Sequence, residues 1–145
     1  MDLEEKYNEC IKKNNAIIEQ FQQSLENQKL SAKTIRTHVD NIEFYLNEYV
    51  AYFECENYLA SGNTFHIGQF LGYYFIHKCM WSTPASIKTY ITSLKKFYAF
   101  LLSKQLIEKE EYQDIVNYMK EHKDDWIEDC TNFNDPEYDY FGDYE

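Results

Sequence analysis

Apolar positions recur along this chain in steps of three and four, the pattern of helices that each bury one face. The plainest case is residues 82–107, where Ile87, Ile91, Leu94, Tyr98 and Leu101 share a face. Ser82 or Thr83 can accept a first-turn N–H, and Pro84 suits a first-turn position, where its missing N–H costs nothing. The opposite face carries Lys88, Thr92, Lys95 and Lys96, with Lys104 just beyond. One face is built for burial; the other is polar and positive.

The same rule places four more helices. Residues 3–28 set Tyr7, Ile11, Ile17 or Ile18, Phe21 and Leu25 on one side. Ser31 opens a second helix as N-cap, and Ile35, Val39, Ile42, Leu46, Tyr49 and Phe53 keep the step through residue 53, about six turns. Residues 54–63 break the pattern, with Ser61-Gly62-Asn63 as turn chemistry. Thr64 can cap a third, shorter helix carrying Ile67, Phe70, Leu71 and Tyr74. Gly68 and Gly72 lie four apart in it; each costs a helix interior about 1 kcal/mol, so close approach of another helix is the expected reason for the pair. A fifth helix runs from about Glu108 to Asp129, with Tyr112, Ile115 or Val116, Met119, and Trp126 or Ile127 inward. Glu108, Glu110 and Glu111 stand at its start, where the helix dipole favours them. The chain thus reads as an all-α domain of about five helices over residues 1–129, followed by an acidic, aromatic tail over 130–145 with no period.

Composition supports this. Glycine and proline number only 4 and 2, and the 18% aromatic content is ample for a small helical core. No apolar run reaches the roughly 18 residues a membrane helix needs. The segment MDLEEKYNEC is acidic, unlike a secretory signal. Cys10, Cys55, Cys79 and Cys130 form no C-x-x-C pair, so free, packed thiols in a reducing cytoplasm are expected.

Charge changes the picture more. The net charge is −11, but residues 56–107 hold five lysines against Glu56 alone, whereas residues 108–145 hold three lysines against fourteen acids. An acidic total argues against a nucleic-acid partner; the local balance weakens that argument, because a surface field depends on where charges sit.

The second and fourth helices begin alike. A shift of 52 residues pairs Ser31 with Thr83, Thr34 with Ser86, Ile35 with Ile87, Arg36 with Lys88, Thr37 with Thr89, Val39 with Ile91, and Ile42 with Leu94. A hydroxyl cap, a base in the first turns and a buried stripe follow in the same order. Helix N-termini with a nearby cation suit phosphate.

Thr83, Ser86, Ile87 and Lys88, followed by Phe97, Tyr98, Phe100 and Leu101, resemble the N-terminal core-binding domain of phage integrases and other tyrosine recombinases. The segments TFHIGQFLGYYFIHKCMW and SAKTIRTHVDNIEFYL extend the likeness to roughly residues 10–107. The resemblance implies a SAM-like helical bundle forming half of a clamp on duplex DNA. It implies phosphate contacts from Lys33, Thr34, Arg36 and Thr37 on one helix, and from Ser86, Lys88, Thr89, Thr92, Lys95 and Lys96 on the other.

Recombinase chemistry itself is not expected. It needs two arginines around the scissile phosphate, a lysine, histidines and a nucleophilic tyrosine in a second domain, and this chain has one arginine, Arg36. His38, His66, His77 and His122 show no metal-ligand spacing, and no P-loop, G-x-G-x-x-G or G-x-S-x-G is present, so no cofactor or metal is expected. Asp124, Asp125, Glu128 and Asp129 read as a solvated helix end. Three functions follow: a non-catalytic DNA-binding module; a protein-interaction module serving a recombinase or mobile-element protein; or a DNA binder gated by its own acidic tail. Neither partner calls for a membrane.

Overall fold

A computed structural model of the chain describes residues 2–54, 64–79 and 81–137. Among the described residues it contains five helices and no strand. Helix α1 spans Leu3–Asn27, α2 residues 32–54, α3 residues 64–78, α4 Pro84–Ser103 and α5 Lys109–Asn134.

Local chemistry sets the ends. Asp2 caps α1 by accepting from Glu5 N–H at 2.8 Å, and Ser31 caps α2 by accepting from Thr34 N–H at 3.2 Å. Of the two candidates for α4, Thr83 is the cap. Ser82 is buried instead, its hydroxyl on the Ile76 carbonyl at 3.4 Å. Thr64 is already helical rather than a cap. The turns after α1 and α4 pass through Lys29 (φ 60°) and Gln105 (φ 59°), which take the left-handed position glycine usually holds.

Two helices contain a wider π turn, Phe44–Val50 in α2 and Phe70–Tyr74 in α3. A regular α-helix turns the positions flanking its stripe toward solvent; the π turn in α2 instead buries Tyr45, Leu46, Asn47, Tyr49 and Val50 together. The two π segments meet through their rings. Phe70 is fully buried with Tyr45 at 5.1 Å, Tyr49 at 5.2 Å and Tyr90 at 5.4 Å, and Tyr49 reaches Tyr74 at 5.0 Å. These edge-on and tilted contacts suit aromatic quadrupoles.

Asn14, fully buried on α1, serves the π turn. Its Nδ2 donates to the Leu46 carbonyl at 3.2 Å and to Asn47 Oδ1 at 2.9 Å, and Asn47 Nδ2 donates to Asn15 Oδ1 at 2.9 Å. The inner stripe of α1 therefore runs Cys10, Asn14, Ile18, Phe21 and Leu25, with an amide where an apolar step is missing.

Helix α5 covers α3 and α4, burying Ile115, Met119, Trp126 and Cys130. The glycine pair of α3 makes this possible: a Cβ on Gly68 would collide with the Tyr118 hydroxyl, and one on Gly72 would stand 2.8 Å from Trp126 Nε1. Helix α5 also runs past Asp129, where its apolar period fades, to Asn134. The last turns are held by the fully buried Cys130 and by Asn134 Nδ2, which donates to the Ser82 carbonyl at 2.9 Å. Of the break expected at 54–63, Glu54 still belongs to α2, and of the tail expected at 130–145, residues 130–134 belong to α5; residues 55–63 and 138–145 lie outside the described residues.

Cys10, Cys79 and Cys130 are buried and are not joined to one another by disulfides; Cys55 lies outside the described residues. Burial pushes the Cys79 thiol up to about 11, so it stays protonated at neutral pH. No described helix is long and apolar enough to cross a membrane.

Candidate nucleic-acid interface

The exposed side of α4 repeats every three or four residues: Ala85, Lys88, Thr92, Lys95 and Ala99. Lys88 and Lys95 lie two turns apart, about 10 Å along the axis, and Lys96 is half-buried at the stripe's edge. No acid occurs anywhere between residues 57 and 107. The stripe is thus a row of cations with nothing of opposite sign on its own helix.

The start of α4 spends its hydrogen-bonding capacity internally. Ser86 N–H donates to Thr83 Oγ1 at 3.0 Å, and Thr83 N–H donates to Ser86 Oγ at 2.7 Å. Pro84 has no N–H, which leaves Ala85 N–H as the open first-turn donor. Ser86 Oγ donates to the Thr83 carbonyl at 2.8 Å, Thr89 Oγ1 to Ala85 at 3.1 Å, and Thr92 Oγ1 to Lys88 at 3.2 Å. Each hydroxyl has one proton, and here it points into the helix.

Helix α2 repeats much of this. Ser31 Oγ donates to Thr34 Oγ1 at 2.9 Å, which leaves Thr34 its own proton, while Thr37 Oγ1 donates to the Lys33 carbonyl at 3.0 Å. Without proline, both Ala32 and Lys33 N–H stay open in the first turn. The surroundings differ, however. Lys33 and Arg36 line a groove against α1, in company with Glu26, Asp40 and Glu43.

The other side of α2 is tied to α4. His38 Nδ1 lies 2.7 Å from Ser93 Oγ, and Asn41 Nδ2 donates to the same oxygen at 3.0 Å. Ser93 Oγ donates to the Thr89 carbonyl at 3.1 Å. With that proton used, His38 Nδ1 is the donor to Ser93. The pair has the spacing of a serine–histidine dyad, but Ser93 is fully buried and its proton is committed, so the cluster is a tie between helices. Burial, and then the nearby Lys96 charge, lower the His38 pKa.

The structure therefore brings Lys88, Thr92, Lys95 and Lys96 together on α4, with Ser86 and Thr89 at that helix's start. It places Lys33 and Arg36 on the side of α2 that faces α1. The tie formed by His38, Asn41 and Ser93 was not among the expected site residues. Its signal lay in the 52-residue echo, which sets Asn41 against Ser93, two polar residues beside otherwise apolar stripes. Among the described residues no group of three His, Cys, Asp or Glu is placed to hold a metal.

A family model for the phage integrase N-terminal SAM-like domain matches residues 18–105, more than half of the chain. The chain belongs to this family. The match runs from the middle of α1 to just past α4, and α5 lies outside it. It concerns the N-terminal domain of integrases, and no catalytic domain is indicated. Comparisons with curated proteins and with solved structures give no match. The resemblance carried by Thr83, Ser86, Ile87, Lys88 and the aromatic run after them is thus confirmed at the level of family and all-α fold.

Proposed function

We propose that this integrase-type domain is a non-catalytic module that holds duplex DNA through its phosphates, with the exposed stripe of α4 as the main contact. The observation that carries the reading is the acid-free row Lys88, Thr92, Lys95 with Lys96 beside it; family membership supports it. Lysines on a helix face act as point charges toward phosphate, so binding is salt-dependent and weakly sequence-specific. Ser86 and Thr89 border the stripe. Thr34 and Thr37, with Lys33 and Arg36, form a flanking contact of smaller effect, because Glu26, Asp40 and Glu43 stand around the two cations. The module acts in the cytoplasm, within a recombination or integration system.

The test is a fluorescence-anisotropy titration of a generic duplex at low salt. Lys88→Glu/Lys95→Glu is expected to lower affinity at least about tenfold and to flatten the salt slope. Unchanged affinity would overturn the reading. The same titration tests gating by the acidic end: a chain ending at residue 137 leaves α5 whole and is expected to bind more tightly than the full chain. On this division the helical body reaches the end of α5, and the acidic tail follows it.

A second reading, a protein-interaction module with a recombinase or other mobile-element protein as partner, draws on a different surface. Tyr73 stacks on His77 at 4.3 Å, and His77 meets Phe133 edge-on at 4.4 Å. Tyr73 is 54% and Phe133 41% exposed. No duplex binding by either chain length would favour this reading.

A further inference from the structure

The groove between α1 and α2 points to a different occupant from DNA. It encloses about 760 Å³ and follows α2 through Ala32–Glu43, about 18 Å of helix. Its floor is apolar: Leu30, Ile35 and Val39 are half-buried, although the last two lie on what the sequence pattern marks as the inner stripe. On α2 its rim carries Lys33 and Arg36 toward one end, and Asp40 and Glu43 toward the other, while α1 adds Glu26. The four α2 residues are exposed, and none of them forms an ion pair with a described residue.

The order of these charges is self-complementary. Lys33 and Glu43 are equidistant in sequence from residue 38, and so are Arg36 and Asp40. A two-fold axis that sets one α2 antiparallel to another, centred at residue 38, places each Arg36 opposite the second copy's Asp40. The same axis places each Lys33 opposite the second copy's Glu43. A closed two-fold interface requires this relation, in which residue i meets j and j meets i. The apolar residues of both copies then share one flank of the contact, and the helix dipoles run in opposite directions.

We propose that a second copy of this chain docks in this groove, α2 against α2, to form an antiparallel homodimer with four ion pairs across it. The proposal does not rest on DNA binding. In the dimer Lys33 and Arg36 face the partner chain, so the flanking DNA contact of α2 belongs to the monomer, and the α4 stripe stays free on the far side of the tie at His38 and Ser93.

Sedimentation equilibrium without DNA, at low salt and over about a hundredfold range of protein concentration, tests it. The intact chain is expected to dimerise, more weakly as salt rises. Arg36→Glu alone or Asp40→Arg alone sets like charges opposite each other and is expected to weaken dimerisation at least about tenfold. The combined Arg36→Glu/Asp40→Arg chain keeps the net charge and restores opposite signs, so its dimerisation is expected within about threefold of the original. All these positions are exposed, and circular dichroism checks that each variant stays folded. A chain that remains monomeric throughout overturns the proposal. So does a single reversal without effect, or a double reversal no stronger than the singles.

Discussion

Helices α2 and α4 start from one sequence pattern and end with different surfaces. Both have a hydroxyl cap, a hydroxyl three residues on, a base and a threonine that bonds back into the helix. In α4 proline and a reciprocal capping box leave one open first-turn donor, Ala85 N–H, and the cations stand on an acid-free exposed stripe. In α2 two first-turn N–H groups stay open, but the cations share their groove with three carboxylates. A hydroxyl-x-x-hydroxyl-Ile-basic motif therefore specifies a helix start. Whether that start meets phosphate depends on what the rest of the chain places beside it.

The largest way to break the comparison is to cut the tie between the two helices. Ser93→Ala removes the acceptor shared by His38 and Asn41, and His38 is only 6% exposed. A buried donor left without a partner costs about 1–3 kcal/mol. We expect denaturant unfolding to show a loss of about 2–3 kcal/mol, with α4's own cap intact. Next in size is the contrast in charge. Lys88→Glu/Lys95→Glu should weaken duplex binding at least about tenfold, close to 1.4 kcal/mol, whereas Lys33→Glu/Arg36→Glu should change it only a few-fold. Equal effects from the two pairs would mean that α2's carboxylates do not shield its cations, and the comparison would collapse.

The five helices were legible because their inner faces are apolar at helical spacing, and Gly68 and Gly72 were legible because glycine in a helix needs a reason. Apolar spacing could not show the π turns, where Tyr45, Tyr49, Phe70 and Tyr74 pack against one another across α2 and α3. Nor could it show Asn14, whose amide is buried to serve the Leu46 carbonyl. The same limit hid the end of α5, held by Cys130 and Asn134. At the candidate site, the lysines of α4 were readable from its polar face. The division of α2 into a side tied to α4 and a side bordering α1 was not, since a helical projection shows Lys33 and Arg36 as exposed, which they are, without showing which helix lies beside them.

A smaller contrast lies in the caps. Thr83→Ala removes a cap that works reciprocally with Ser86, and Ser31→Ala removes one that accepts a single N–H at 3.2 Å. Loss of such a cap costs about 0.5–2 kcal/mol. Thr83→Ala should fall in the upper half of that range and Ser31→Ala in the lower, by thermal or denaturant unfolding. The reverse order would show that the open donors of α2 depend on Ser31 more than the geometry indicates.

The smallest effect is the pH response of the tie. Burial first, and Lys96 second, hold the folded-state pKa of His38 below its ordinary 6.5. Between that lowered value and about 6.5 the unfolded chain binds more protons than the folded one, so stability rises with pH across the window. The contribution is complete above 6.5 and is lost as pH falls toward the folded-state value. His77 is shifted the same way, so acid sensitivity alone does not single out the tie. His38→Asn does, because an amide near the Nδ1 position can still donate to Ser93 and cannot titrate; it should flatten the stability profile just below pH 6.5. Lys96→Gln should flatten it too, but less, because burial remains the larger cause. A Lys96→Gln profile that matches the original would mean that the half-buried end of the α4 stripe does not act on the α2 tie. The tie at His38 would then act through its hydrogen bonds, beside the apolar packing that the two helices share.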